Sequence, residues 1–183
     1  RLRLLPRQQA HDLIARHAAP GNVIDIGCGS GERSLDLNAE FVPYGIEISD
    51  ALAAKAKKVL ASRGGTAIHA PASEGLDQFP EGFFTGATLR AYLEHEARPK
   101  VVLDALHRVL APRGIAVVKV PNYASLNRRV MGRNWCGFRW PDHLNYFTPK
   151  SLTTMAEAAG FSCRFGMLGA LPTSDNMWMI AAK

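Results

Sequence analysis

The stretch V-I-D-I-G-C-G-S-G, residues 23–31, decides the fold class of this 183-residue chain. Its apolar beginning predicts a short buried strand, and its glycines predict a sharp turn that opens a helix near Ser30. Glycines in this context let the backbone turn tightly and approach a ligand closely. The stretch therefore indicates an α/β domain that holds a ligand at the end of its first strand.

The spacing of these glycines differs from the dinucleotide fingerprint G-x-G-x-x-G. The third glycine, Gly31, comes one place early, and Glu32 takes the position where a glycine is expected. Glu32 would lie near a bound diphosphate and repel it, and Asp25 adds a further acid just before the turn. The turn therefore favours a ligand that carries no phosphate and has positive groups that carboxylates attract.

A further acidic residue, Glu47, ends the second predicted strand, residues 41–48. Nucleoside-binding folds place an acid near this offset, where it binds the ribose hydroxyls. A carboxylate accepts two hydrogen bonds from a cis-diol, and such charge-assisted bonds are strong. A solvated strand end is the alternative for Glu47 alone, but the preceding glycine turn favours the ribose role.

The rest of the chain alternates between the two kinds of element. Hydrophobic periodicity and the positions of glycine and proline predict helices over 7–18, 50–62, 98–110 and 148–159. They predict further strands over 66–69, 83–89, 115–120, 161–167 and 177–182. A loop is expected between Pro71 and Pro80, and residues 121–147 show no period. This order predicts one domain over 1–183, a mostly parallel sheet with helices on both faces, and a lid or substrate insertion at 121–147.

Composition narrows the class of protein further. The chain is 47% hydrophobic with a net charge of +6, which suits a globular domain with an anionic partner. Its three cysteines form no C-x-x-C pair, and no Cys/His set has zinc spacing, so we expect reduced thiols and no metal. No apolar run reaches the length of a membrane span, so we expect a cytoplasmic protein. The sequence predicts no oligomeric state.

The motifs together resemble the class I S-adenosylmethionine-dependent methyltransferases. The glycine turn and Y-G-I-E-I-S (residues 44–49) resemble the family's first motif and its acidic ribose position, and F-F-T-G-A-T-L-R-A-Y-L-E-H (83–95) resembles its fourth strand and following turn. L-H-R-V-L-A-P-R-G (106–114) resembles the segment before its fifth strand. H-L-N-Y-F-T-P-K-S-L (143–152) and A-A-G-F (158–161) resemble a small-molecule branch that includes ubiquinone-biosynthesis-like O-methyltransferases.

The resemblance implies a Rossmann-like sheet with strand order 3-2-1-4-5-7-6, in which strand 7 is antiparallel, and S-adenosylmethionine as cofactor. It implies cofactor contacts at Asp25, Gly27, Cys28, Gly29, Gly31, Glu47, Ile48, Ser73, Glu74 and Arg90. We further expect substrate contacts at Tyr92, Trp135, Arg139 and His143, from their place at the carboxyl edge of the sheet and in the segment 123–147. The chain departs from the family after the third strand, where Ser73 or Glu74 must replace the usual aspartate or the adenine contact is lost.

His95 is the candidate general base, because an imidazole titrates near working pH and this residue follows the fourth strand. The alternative is that His95 caps the next helix or closes the floor of the pocket. Arg90 is a candidate for holding a substrate anion or the cofactor carboxylate, with a surface arginine as the alternative. Structural roles are favoured for Glu94 and for His143, although His143 is expected on the substrate side.

Residues 123–147 interleave arginines with aromatic side chains. Four hypotheses stay open for this segment: a lid over the acceptor site, which is favoured; a peripheral contact with an anionic membrane; a nucleic-acid grip; and packing without a ligand.

The favoured function is methyl transfer to a small-molecule acceptor, preferably at oxygen. The alternatives are a nucleic-acid-directed methyltransferase, a cofactor-binding module without catalysis and, opposed by Gly31 and Glu32, a nicotinamide-dependent dehydrogenase.

Overall fold

The computed structural model describes residues 9–166 and 169–183. Helices and strands alternate along the chain. The helices are α1 (Ala10–His17), α2 (Asp50–Ala61), α3 (Ala72–Asp77), α4 (Pro99–Val109), α5 (Leu126–Met131) and α6 (Pro149–Glu157). The strands are β1 (Gly21–Ile26), β2 (Phe41–Glu47), β3 (Ala67–His69), β4 (Phe84–Arg90), β5 (Leu110–Pro121), β6 (Ser162–Phe165) and β7 (Asn176–Ala182).

The seven strands form a single sheet in the order β3-β2-β1-β4-β5-β7-β6. Strands β1 to β5 pair in parallel, whereas β7 runs antiparallel to both β5 and β6. The α/β architecture, the strand order and the orientation of β7 are therefore as the resemblance implied. The parallel part brings the carboxyl ends of β1, β2, β3 and β4 to one edge, which is where the site lies.

The core follows from the alternation of side chains along the strands. Ile24 and Ile26 of β1 point to one face, where they join the buried apolar side of α4. Val23 points to the other face and packs with Leu13 and Ile14 of α1. The sheet is therefore covered on both sides, as continuous apolar strands predict.

Three predicted elements differ from the structure. The glycine turn leads into a 3-10 helix (Glu32–Asp36), because Gly31 adopts a left-handed conformation at its N-cap and the chain returns to β2 within a few residues. The expected loop after Pro71 contains α3, a helix of only 6 residues that is too short to show a period. Residues 121–147 contain α5, which begins where the Ser125 side chain accepts a hydrogen bond from Arg128 N.

The predicted boundaries of the remaining elements lie within a few residues of those observed, except that β5 begins earlier, at Leu110. The beginning of the first predicted helix and Met167 of the sixth predicted strand lie outside the described residues. In the described part of the chain, no helix is both long enough and apolar enough to cross a bilayer.

Candidate active site

A cleft of about 410 Å³ lies at the carboxyl edge of the parallel strands. Its walls come from the ends of four strands and the turns that follow them: Gly27, Ile46, Glu47, Ile48, Ala70, Pro71, Ala72, Tyr92, His95, Glu96 and Ala97. Open α/β sheets bind ligands at this edge, where the strand order reverses between β1 and β4. The cleft is therefore the place where the fold is expected to hold a ligand.

Glu47 fixes the glycine turn with its carboxylate. Its Oε2 accepts a hydrogen bond from the backbone N–H of Gly29 at 2.9 Å, and its Oε1 accepts one from Ser49 N at 3.0 Å. Each carboxylate oxygen has two acceptor positions, so both oxygens retain capacity for a further donor. Glu47 can therefore hold the turn and accept bonds from a diol in the cleft at the same time.

Tyr92 closes the cleft against the turn. A Cβ added at Gly27 would lie 2.8 Å from Cδ2 of Tyr92, so the ring packs directly over the bare glycine backbone. The Tyr92 hydroxyl donates to Glu96 Oε2 at 2.6 Å. Burial, and then the bond to Glu96, raise the pKa of the Tyr92 hydroxyl, so it stays protonated and holds the ring in place.

His95 lines the same cleft and is exposed. Its Nδ1 lies 2.7 Å from the carbonyl oxygen of Asp142. Because a carbonyl can only accept, Nδ1 must carry the proton, and the neutral ring keeps a lone pair on Nε2. This is the tautomer that a general base or a metal ligand requires.

Comparison with known proteins identifies the family. The family model described as "Methyltransferase domain" matches residues 1–164. The chain belongs to this family. It is an S-adenosylmethionine-dependent methyltransferase.

The methyltransferase has relatives of different named activities. It is 29% identical over 186 residues to a demethylmenaquinone methyltransferase of Thermus thermophilus. The alignment covers 88% of this chain and 83% of the relative. It is 32% identical over 182 residues to a trans-aconitate 2-methyltransferase of an Acidovorax species, covering 95% of this chain and 66% of the relative. Its fold matches an S-adenosylmethionine-dependent methyltransferase of Mesorhizobium loti with a TM-score of 0.71 at 15% identity, covering 95% of this chain and 96% of that one.

The donor set of the methyltransferase fits its cofactor. A Cβ built on Gly29 meets no atom within 4 Å, so the backbone beside Glu47 is open to a ligand. Ile48 is 71% exposed where it lines the cleft, so it offers an apolar surface to a flat ring. An open backbone, a carboxylate and an apolar surface suit a nucleoside.

Asp25 lies outside the cleft and lines a separate small cavity together with Arg90. Its carboxylate is buried and accepts hydrogen bonds from Thr88, from Ser34 at 3.3 Å and from Arg90 at 3.4 Å. Burial raises the pKa of Asp25, and Arg90, Thr88 and Ser34 oppose the rise without cancelling it. Asp25 of β1 and Arg90 of β4, both predicted to contact the cofactor, therefore bond to each other and do not line the cleft.

Other predicted cofactor residues also lie outside the lining of the cleft. Cys28 packs over Gly45, where a Cβ would meet its Sγ at 2.5 Å, and burial raises the pKa of the thiol to about 12. Gly31 packs against Ala56 of α2. Ser73 and Glu74 belong to α3, directly after the lining residue Ala72, and they do not line the cleft themselves.

A second cavity of about 230 Å³ adjoins the first through His95. The predicted substrate residues Arg139 and His143 line it, together with Glu94. Backbone bonds fix this junction, because Leu144 N and Asn145 N both donate to the Glu94 carbonyl, at 2.8 and 3.0 Å. The structure therefore brings Arg139 and His143 next to His95, whereas predicted Tyr92 lies on the first cavity.

Trp135, the remaining predicted substrate residue, is a buried anchor. It is 2% exposed and donates from Nε1 to Asp175 Oδ1 at 2.7 Å. Burial raises the pKa of Asp175, but the hydrogen bonds from Trp135, Asn127 and Ser125 together outweigh it, so the net pKa is lowered. This cluster ties residues 123–147 to the segment before β7.

Sequence reasoning missed three features of the site. Glu96 accepts a hydrogen bond from Tyr92, four residues earlier in the chain, and Asp175 accepts one from Trp135, which only the fold brings near. Ala91 lines the second cavity with a φ of 52°, a left-handed conformation that non-glycine residues rarely adopt and that often marks functional sites. No local pattern signals that strain.

Proposed function

We propose that this methyltransferase transfers a methyl group to an oxygen atom of a small, anionic acceptor. The observation that carries the proposal is that Glu47 and His95 line one cleft. A nucleoside held at Glu47 would direct its reacting end along the cleft towards His95 and the second cavity. The relatives support a small acceptor, since their names specify demethylmenaquinone and trans-aconitate.

The cofactor, when bound, supplies a methyl group that is already activated on a sulfonium. The protein then has to hold both reactants in line and exclude water. Such positioning contributes roughly 7–11 kcal/mol to lowering a barrier. We assign cofactor positioning to the turn at Gly27 and Gly29, to Glu47 and to Ile48, and we assign Tyr92 to the wall between the cofactor and the acceptor.

His95 is the proposed general base for an acceptor hydroxyl. Its Nδ1–H is held by the Asp142 carbonyl, which leaves Nε2 free to take a proton. Proton removal by a positioned base contributes typically about 10²- to 10⁴-fold to a rate. An acceptor that is already ionised would need less help, so a measured preference for neutral hydroxyls would support this role.

An anionic acceptor is proposed because Arg139 lines the second cavity beside His95 and His143. Its guanidinium can bind a carboxylate or phenolate with two parallel hydrogen bonds. We further propose that residues 121–147 form a lid over this cavity, since this segment supplies Arg139 and His143 and is anchored through Trp135.

The same segment supports a proposed peripheral membrane contact. Val130 is 84% exposed and lies in sequence among Arg128, Arg129 and Arg133, and Trp140, which is 78% exposed, follows Arg139. The only acid between residues 123 and 147 is Asp142. Exposed apolar side chains flanked by arginines suit the interface of an anionic bilayer.

Mass spectrometry of reaction products tests the proposal. The protein is incubated with S-adenosylmethionine and a panel of phenols, carboxylates, amines, quinones and short RNAs. The proposal predicts methylated phenol or carboxylate and release of S-adenosylhomocysteine. Methylation of RNA or amines alone, with all oxygen acceptors unchanged, contradicts it.

A further inference from the structure

Glu94, His95 and His143 meet between the two cavities. One ligand atom from each residue lies within 4.8 Å of the others. We propose that the Glu94 carboxylate and the Nε2 atoms of His95 and His143 form a binding site for a divalent transition-metal ion. The proposal revises the expectation from cysteine and histidine spacing that the chain has no metal, and it deepens the proposed function by placing the ion at the acceptor side.

Both histidines have their Nδ1 atoms hydrogen-bonded to backbone carbonyls, which suits them for metal binding through Nε2. The Nδ1 of His95 lies 2.7 Å from the Asp142 carbonyl, and the Nδ1 of His143 lies 2.9 Å from the Gly137 carbonyl. A carbonyl accepts only, so each Nδ1 is the protonated nitrogen and each Nε2 has the free lone pair. Metal-bound histidines characteristically donate their second N–H to a backbone carbonyl or carboxylate in this way.

Glu94 provides an independent observation. The residue is 1% exposed, and among the described residues its Oε2 is the buried side-chain oxygen that has no hydrogen-bond partner. An unpartnered buried carboxylate oxygen is costly, because it has given up its bonds to water. A cation bound between Glu94 and the two imidazoles would satisfy it.

The scaffold around the three residues is already fixed. The Glu94 carbonyl accepts from Leu144 N and Asn145 N, and the Asn145 side chain donates to the carbonyls of Leu93 and Glu96 at 3.0 and 2.7 Å. The turn after β4 is thereby tied to the segment that contains His143. Little rearrangement is needed to bring the ligands onto one ion, which favours binding.

The ligand chemistry selects the class of ion. Two imidazole nitrogens and one carboxylate suit Zn²⁺, Mn²⁺ or Fe²⁺, whereas Mg²⁺ and Ca²⁺ prefer oxygen ligands throughout. His143 is 6% exposed, but His95 is exposed and lines both cavities, so the ion would be reachable from the cleft. Three protein ligands leave positions open for acceptor oxygens.

A bound ion would change the role of His95. Its Nε2 lone pair would be engaged by the metal, so His95 would be a ligand and the acceptor would lose its proton to solvent after binding to the ion. Chelator-treated protein separates the two roles, because a free histidine base needs no metal.

Isothermal titration calorimetry of metal-free protein with Zn²⁺ and Mn²⁺ tests the proposal. The samples are the wild type, Glu94→Gln, His143→Gln and the control His17→Gln, which alters an exposed histidine at the end of α1. Wild type and control should bind one Zn²⁺ per chain, and the two site variants should bind at least about tenfold more weakly. Mg²⁺ should not compete at millimolar concentration.

Equal binding by all four proteins, or none by wild type, overturns the proposal. If the site variants do not fold, the melting temperature of the wild type tests the proposal instead. Zn²⁺ should raise it and Mg²⁺ should not, and a melting temperature that Zn²⁺ leaves unchanged rejects the metal site. Titration of the same samples with S-adenosylhomocysteine distinguishes failure of the metal site from failure of the proposed function. Cofactor binding without metal binding rejects only the metal site, and metal binding without cofactor binding rejects only the proposed function.

Discussion

The backbone amide of Gly29 donates to the carboxylate of Glu47 at 2.9 Å, and this bond joins the turn after β1 to the end of β2. The two motifs that the sequence singled out are 18 residues apart in the chain and in direct contact in the fold. Parallel pairing explains the contact, because Ile26 lies opposite Ile46 and both strands end at the same edge. The bond leaves acceptor capacity on Glu47 for a ligand.

Replacement of Glu47 by glutamine should weaken cofactor binding. The amide nitrogen must face either Gly29 N–H or Ser49 N–H, so one of these two backbone bonds is lost together with one acceptor for the ribose. We expect the calorimetric Kd for S-adenosylhomocysteine to rise at least about tenfold, or roughly 1.4 kcal/mol. The exposed Glu81→Gln variant is the control and should bind normally. Unchanged affinity in Glu47→Gln would refute the ribose role.

Gly29 allows a test that separates backbone strain from ligand contact. Gly29 has a φ of 57° and Gly64, after α2, has a φ of 78°, and a Cβ at either position meets nothing closer than 4.0 Å. Alanine at each should therefore cost a similar 1–2 kcal/mol, roughly, in the free energy of unfolding. Only Gly29→Ala should also weaken S-adenosylhomocysteine binding. Similar affinities in the two variants would show that the cofactor does not approach Gly29.

The fold was largely predictable because its strands are apolar, short and separated by glycine or proline turns. The site was less so. Alternation along β1 already places Asp25 on the face of Val23, opposite Ile24 and Ile26, so its distance from the cleft could have been predicted from the strand itself. The bond from Trp135 to Asp175 spans 40 residues of sequence, and no local pattern signals it.

Asp175 should stabilise the segment 123–147 in a pH-dependent way. In Asp175→Asn, an amide replaces the carboxylate that accepts from Trp135 and Asn127, so one of these donors loses its acceptor. We expect the free energy of unfolding in urea at pH 7 to fall by about 1–3 kcal/mol. The folded-state pKa of Asp175 lies below its ordinary value of 3.8, so its contribution is fully present above that pH and is lost as pH falls through the folded pKa.

The difference between wild type and Asp175→Asn should therefore narrow as the pH falls below 3.8. The exposed variant Asp36→Asn provides the baseline for a generic loss of one negative charge. A difference that stays constant from pH 7 down to pH 3 would argue against the ionised anchor.

Peripheral membrane contact should depend on apolar side chains and on charge. We expect the protein to sediment with vesicles that contain anionic lipid and to remain in solution with purely zwitterionic ones, with binding that weakens as salt increases. Val130→Ser with Trp140→Ala should reduce sedimentation, whereas Leu52→Ser, which alters a side chain 42% exposed on α2, should not. Equal sedimentation of all three proteins would exclude this surface.

We infer that the glycine turn and Glu47 bind S-adenosylmethionine and not a dinucleotide. Calorimetric titration of the wild-type protein with S-adenosylhomocysteine, and separately with NAD, tests it most directly. We expect one S-adenosylhomocysteine bound per chain and no heat from NAD at millimolar concentration. Binding of NAD with no response to S-adenosylhomocysteine would contradict it.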